Sequence, residues 1–405
     1  MLPFVLAAEA GTLELSDRVG ADVRAGTGIQ GSAYDASDLA SARVTMSERR
    51  WNISAGYSPS FSLSGGDHLP ATGYVLQAEN VGASWHDRRL TLSLVETGSY
   101  GWQTTAGLVP QPGVLTQAQP IQGLPANLTT IQVVTLGSSA GVAYRPSRRW
   151  TLGVSLGESI FGGAREVDRT VAPLTAGLYG AASASFAMSR VDSAFMRITG
   201  YRSWTHSGPC LVPNATTPNA PGVLATCAPD SYLGAAYIGE QHRFSQHSTG
   251  NADVGFAIAE SRLLSGDPYT TGVYPVADVG YIMDFGARAA RVSLRFDLQL
   301  APIVDQRTGA VEYAARGTGT ARWLLPSRTT LAWAVGALQS LGGAEESPGS
   351  VLYTSGTVEV PMGKFFALSA MASYFLEDQE GGPTTTSVAV FVGATVHTLP
   401  VRFQL

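Results

Sequence analysis

The sequence predicts an all-β chain closed into an antiparallel transmembrane β-barrel of about 18 strands, with about 16 or 20 as the neighbouring even counts. Three observations carry this prediction. From Trp51 to Ser64, apolar and small polar residues alternate without a break: Trp51, Ile53, Ala55, Tyr57, Pro59, Phe61 and Leu63 on one face, Ser and Gly with Asn52 on the other. Side chains alternate across a strand with period two, so this ribbon has one oily and one wet face. Its length exceeds the roughly 9–11 residues a tilted strand needs to cross a bilayer. Short turns and long Gly/Pro/Asn-rich connections then alternate along the chain, the spacing expected when one rim of a membrane-spanning barrel carries tight turns and the other long loops. Finally, charged residues are only 14% and mean hydropathy is +0.08, yet no run of about 18 apolar residues offers a membrane helix. A closed sheet is the remaining way to satisfy every backbone group in lipid.

The first ten residues carry a short apolar run ending at Ala8 and Ala10, the small-x-small arrangement a signal peptidase favours. Residues 1–10 are therefore read as a signal-peptide remnant whose basic start lies upstream of Met1, and 11–405 as one barrel domain. Strands are expected near 19–31, 39–47, 50–64, 73–86, 89–101, 131–145, 150–161, 174–189, 191–204, 231–244, 251–264, 272–285, 289–303, 310–324, 328–341, 350–360, 364–377 and 384–405. Trp150, Leu152, Val154, Leu156 and Ile160 alternate with Thr151, Gly153, Ser155, Gly157 and Ser159. Leu294, Phe296, Leu298 and Leu300 oppose Arg291, Ser293, Arg295, Asp297 and Gln299. In the last strand Val388 to Val396 occupy even positions, whereas Leu399, Val401, Phe403 and Leu405 occupy odd ones. That change of phase around Pro400 predicts a bulge or bend.

The short turns place Arg49, Arg50, Arg88, Arg89, Arg145, Arg148, Arg149, Arg288 and Arg328 along one rim. Such a row suits lipid head groups through snorkelling, or docking of an acidic partner. The longest connections, 101–130 and 206–230, fall at the opposite rim. Cys210 and Cys227, the only cysteines, bracket the second and are expected to form a disulfide outside the cytoplasm.

A barrel of this size is wide enough to hold water. Its expected lining includes Arg43, Arg197, Asp253, Arg291, Arg295, Asp297, Glu312, Arg316 and Arg322 among Ser, Thr and Gly. Arg291, Arg295, Arg316 and Arg322 on adjacent strands form either a basic stripe that steers anionic solutes or, paired with Asp297 and Glu312, a brace. The net charge of −5 points to no nucleic-acid partner. The six histidines show no metal-ligand spacing, serines are too common to single out a Ser/His/Asp site, and no cofactor motif exists, so no enzymatic activity is predicted.

From Gly11 onward the chain resembles bacterial outer-membrane β-barrel proteins in architecture. Within that class it resembles the barrel half of composite polysaccharide-export translocons, on strand count, the lack of an attached plug domain and the basic rim. The resemblance implies a bacterial outer-membrane channel passing a hydrophilic polymer delivered by a periplasmic export protein. A general or solute-selective porin, with a long loop such as 101–130 folded inward, is the alternative. A barrel enzyme or a structural or adhesive barrel is the third.

Overall fold

In the computed structural model, strands dominate from one end of the chain to the other. The described residues are 11–26, 33–66, 69–104, 130–169, 172, 174–206, 208–212, 223–227, 229–262, 268–287, 290–304, 311–342, 348–379, 384–397 and 401–404. The first half of the wall comprises β1 (Gly11–Gly26), β2 (Ala33–Ser47), β3 (Trp51–Gly66), β4 (Leu69–His86), β5 (Leu90–Thr104), β6 (Thr130–Tyr144), β7 (Trp150–Gly163), β8 (Thr175–Ala187) and β9 (Asp192–Thr205). A short helix, α1 (Glu166–Arg169), lies between β7 and β8. A ribbon of β10 (Gly208–Val212) and β11 (Val223–Cys227) stands apart from the wall. The second half comprises β12 (Asp230–His242), β13 (Ser248–Arg262), β14 (Thr270–Ala287), β15 (Ala290–Val304), β16 (Val311–Leu324), β17 (Thr330–Gly342), β18 (Pro348–Pro361), β19 (Phe366–Gln379), β20 (Thr385–His397) and β21 (Val401–Gln404).

Every wall strand pairs antiparallel with its neighbours in the chain, β9 pairs with β12, and β1 pairs with β20 and β21, which closes the sheet on itself. β20 and β21 are two pieces of one closing strand, so the wall has 18 positions. Between the pairs Arg18–His397 and Leu15–Val401, the closing strand inserts one residue more than β1. This one-residue shift of register accompanies the phase change read around Pro400, which itself lies outside the described residues. Among the described residues no helix is long and apolar enough to cross a membrane.

Register fixes the two faces. On the outer face, Trp51 opposes Trp85, Val142 opposes Val154, Ile198 opposes Ala236, and Val279 opposes Leu298. These apolar side chains lack protein cover: Leu156 is 63% exposed, Ile238 68% and Val273 69%. Exposure on that scale around a closed sheet is unfavourable in water and natural in hydrocarbon, at roughly 25 cal/mol per Å² of apolar surface. Trp51, Trp85, Tyr144, Trp150, Phe186, Phe285 and Trp323 share the outer parity just above the short turns. They form an aromatic girdle of the kind that marks a membrane interface. The chain is an outer-membrane β-barrel, its short turns periplasmic and its long connections extracellular.

On the inner face, small residues let neighbouring rings recline against the wall. Tyr179 fills the space that a Cβ on Gly157 would need, and Tyr353 does the same over Gly336. A larger residue at either glycine pushes the ring into the lumen.

Strand placement follows the sequence closely except at the start. β1 begins at Gly11 and β2 at Ala33, earlier than alternation predicts, because Asp38 falls on the outer face of β2 and the sequence of β1 carries Asp17 among its apolar positions. The signal-like residues 1–10 lie outside the described residues, as do most of connection 101–130 and Arg288. The expected disulfide is not supported. Register places Cys210 opposite Ala225 and Cys227 opposite Gly208, and the side chains of both cysteines lie outside those described.

Candidate functional site in the lumenal wall

The inner face divides into two halves of different chemistry. Along β3 to β8 it carries hydroxyls and glycines: Ser54, Ser58 and Ser60 on β3, Thr97 and Ser99 on β5, Ser155 on β7, Ser183 on β8. Hydroxyls there bond to one another, as Ser99 Oγ does to Thr135 Oγ1 at 2.6 Å. Along β9 to β16 the wall is charged, because the polar positions of those strands hold Arg and Asp instead of Ser.

Register aligns these charges. Asp253 of β13 faces Asp278 of β14, Asp278 faces Gln299 of β15, and Gln299 faces Arg316 of β16. Two like charges directly opposite destabilise a sheet, and Arg197 of β9 answers them. Its Nη2 lies 3.3 Å from Asp253 Oδ2 and 4.0 Å from Asp278 Oδ2, with the guanidinium 4.5 Å above the Tyr237 ring. A side chain reaching from β9 to β14 crosses the concave side of the sheet, where such distances shorten. At the other end Arg316 donates from Nη2 to Gln299 Oε1 at 2.5 Å.

One step toward the periplasm, Arg295 donates from Nε to Asp297 Oδ2 at 2.8 Å. Asp297 and Asn251 both lean over Gly280, which has no side chain to obstruct them. Nearer the turn, Arg291 pairs with Asp284 at 3.3 Å. Arg322 sits on β16 opposite Ser293 and Ala332, and Glu312 is buried near the other end of that strand. Arg43 shares the inner parity on β2, opposite Glu14 and Gly56. All of the expected lining residues thus lie on the polar face. The four arginines of β15 and β16 do not form an unbroken stripe, because Asp284, Asp297 and Gln299 take up three of them.

The extracellular mouth holds a feature that sequence reasoning missed. After β7 the chain turns onto the inner wall, where Ala172 packs against Ile131 and Val133 of β6 with Leu76 of β4 beside them. The loop is tied down by backbone bonds from Gly163 N to Ala172 O and from Ala164 N to Gln132 O, both 2.7 Å. Inside it, Arg165 holds Asp168 with two bonds, Nε to Oδ2 at 2.7 Å and Nη2 to Oδ1 at 2.8 Å, and lies 4.4 Å over the Trp102 ring. The hydrogen bond from Arg165 keeps the buried Asp168 carboxyl below the usual carboxylate range despite desolvation. The only sequence signal was the Arg165–Asp168 spacing, which is too common to single out.

At the periplasmic end, Arg49 and Arg50 lie between β2 and β3, Arg88 and Arg89 between β4 and β5, and Arg148 and Arg149 between β6 and β7. All six are exposed. Arg50 pairs with Asp87 across two turns at 3.6 Å. Among the described residues no group of His, Cys, Asp and Glu is arranged to hold a metal ion.

No family model matches the sequence, and no characterised protein matches it. Solved structures resemble it in fold. It is similar to OpdL of Pseudomonas aeruginosa, with 10% identity over 98% of this chain and 99% of that one and a TM-score of 0.42. The outer membrane protein opdK of the same organism gives 8%, 97%, 99% and 0.46, and a bacterial polysaccharide outer membrane secretin 9%, 97%, 99% and 0.30. Likeness at these identities concerns the fold alone. The assignment above rests on the chain's own register and faces.

Proposed function

We propose that the protein is a passive pore of the porin type, admitting small hydrophilic solutes through a lumen charged along one side. The observation that carries this reading is the extracellular connection after β7, whose residues 164–169 and 172 turn inward and are anchored on the wall by Ala172. A loop narrowing the mouth suits selection among small solutes better than transit of a bulky polymer. The lining supports the same reading: Arg197, Asp253, Arg295, Asp297, Arg316 and Arg322 offer charges of both signs to a permeating ion, most of them held in place by partners. Ligand-free charges fixed on a wall select by sign and field strength rather than by shape.

Purified protein in planar bilayers tests the proposal. Discrete conductance steps are expected, and they should grow when residues 164–172 are replaced by a short Gly-Ser link. A silent, water-tight barrel would refute it.

Polymer export with a periplasmic partner is a second reading, favoured by the exposed arginines of the three consecutive turns. Deleting the gene and measuring surface polysaccharide separates the two, since a solute pore leaves the polysaccharide unchanged.

A further inference from the structure

The outer face of β9, β12 and β13 breaks its hydrocarbon pattern at the extracellular end. One ladder line there runs Trp204, Asp230, Arg262 and the line below it Arg202, Tyr232, Glu260. Both share the parity of Ile198, Ala236 and Phe256 farther down, so these polar groups stand at the upper edge of the lipid belt. Asp230 is only 5% exposed and serves as a shared anchor. It accepts from Tyr269 Oη at 2.7 Å, from Arg202 Nη2 at 3.3 Å and from Arg262 Nη2 at 3.3 Å. Two guanidiniums are thereby held side by side. Arg202 lies 4.8 Å over the Tyr232 ring and 5.4 Å over Trp204, and Arg262 lies 4.7 Å over Tyr269. Each guanidinium offers five donors, and Asp230 uses a minority of them.

Directly below Arg202 and Tyr232, Gly200 faces Gly234 across the β9–β12 ladder. The space a Cβ would occupy is open at both glycines. The wall there has a notch floored by backbone and bounded by the exposed Ile198 and Ile258. Fixed cations and flat rings above an apolar notch, at the boundary of the outer leaflet, match one molecular chemistry: a phosphorylated sugar carrying acyl chains.

We infer that this surface binds the phosphorylated glycolipid of the outer leaflet. The guanidiniums take a phosphate, the rings pack the sugar, and one acyl chain lies in the glycine notch. Guanidinium forks match phosphate geometry bidentately. Asp230 does not annul the attraction, because it is buried beneath the arginines. Glu260 sits on β13 opposite Tyr232, one position above Ile258, and opposes the phosphate. The inference rests on the outer-membrane placement and not on the lumen conducting.

The test uses the full chain in detergent micelles, with binding read by native mass spectrometry. Diphosphorylated lipid A should be retained, dephosphorylated lipid A should bind at least about tenfold more weakly, and millimolar inorganic phosphate should fail to displace the lipid. Arg202→Gln with Arg262→Gln should lose about tenfold or more, and Glu260→Gln should tighten binding. Gly234→Leu fills the notch without changing charge and should weaken retention of acylated lipid alone. Equal binding of both lipids to the natural chain, or displacement by free phosphate, overturns the proposal whether or not the arginine variants fold. Planar-bilayer conductance of the same samples reports the pore reading separately.

Discussion

Arg197 shows how a single side chain settles the arrangement of its neighbours. Without it, Asp253 and Asp278, which face each other across the β13–β14 ladder, would have no guanidinium bridging them. Arg197→Gln should therefore leave two unmatched carboxylates on the lumenal wall. A uncompensated charge within about 4 Å of a passing ion is worth about 1 kcal/mol in water-like surroundings, about fivefold in relative permeability. Reversal potentials in a salt gradient should move toward cation preference by that order, and unchanged potentials would remove Arg197 from the conduction path. Changing Arg295 and Arg322 together to Glu should go further in the same direction, toward cation selectivity, with the β-sheet circular dichroism signal retained. The inward parity of these residues was legible in the sequence, because one register rule governs each strand. Their partners were not. Arg197 reaches a residue on β14, two strands beyond its own ladder neighbour, and no local spacing encodes such a contact.

At the scale of elements, the loop after β7 is the piece the sequence concealed. Its anchor is the pair Arg165–Asp168, together with Ala172 on Ile131 and Val133. The Asp168 carboxyl titrates below its ordinary value because Arg165 bonds to it, so the pair's contribution is complete above the unfolded-state value of about 4. It fades as pH falls through the lower folded value. Hydrogen exchange over 164–172 should stay slow at pH 5 and quicken only below about pH 4, and Arg165→Ala should bring the fast exchange up to neutral pH. Slow exchange in that variant would mean that Ala172 alone holds the loop. Strand positions were readable where apolar residues kept strict alternation, as on β3 and β7. They were misplaced on β1 and β2, where Asp17 and Asp38 interrupt the apolar alternation of the sequence. The register shift between β20 and β21 was readable for the opposite reason, since an extra residue must shift the phase of everything after it.

For the molecule as a whole, closure is the decisive property, and it depends on a narrow seam. β1 is held by β20 along Arg18 to Gly26 and by β21 along Thr12 to Leu15. Removing residues 398–405 should strip the periplasmic half of that seam, leaving unpaired backbone groups that lipid cannot satisfy. The truncated chain should lose the resistance to unfolding in cold detergent that closed barrels display on gels, whereas substitution of Phe403 alone should keep it. Retention of resistance by the truncated chain would place the seam's strength wholly in β20. Strand number and overall architecture were within reach of the sequence because every turn and every oily face repeats the same instruction. The identity of the cargo was not, since Ser, Thr and Arg on a wet wall serve many solutes equally. The unequal halves of that wall carry one more implication. A molecule with separated positive and negative ends would be turned toward β9–β16 while its neutral parts slid along the hydroxyls of β3–β8. Positional isomers identical in mass and overall charge would then travel at different speeds, and the pore would sort by internal dipole as well as by girth.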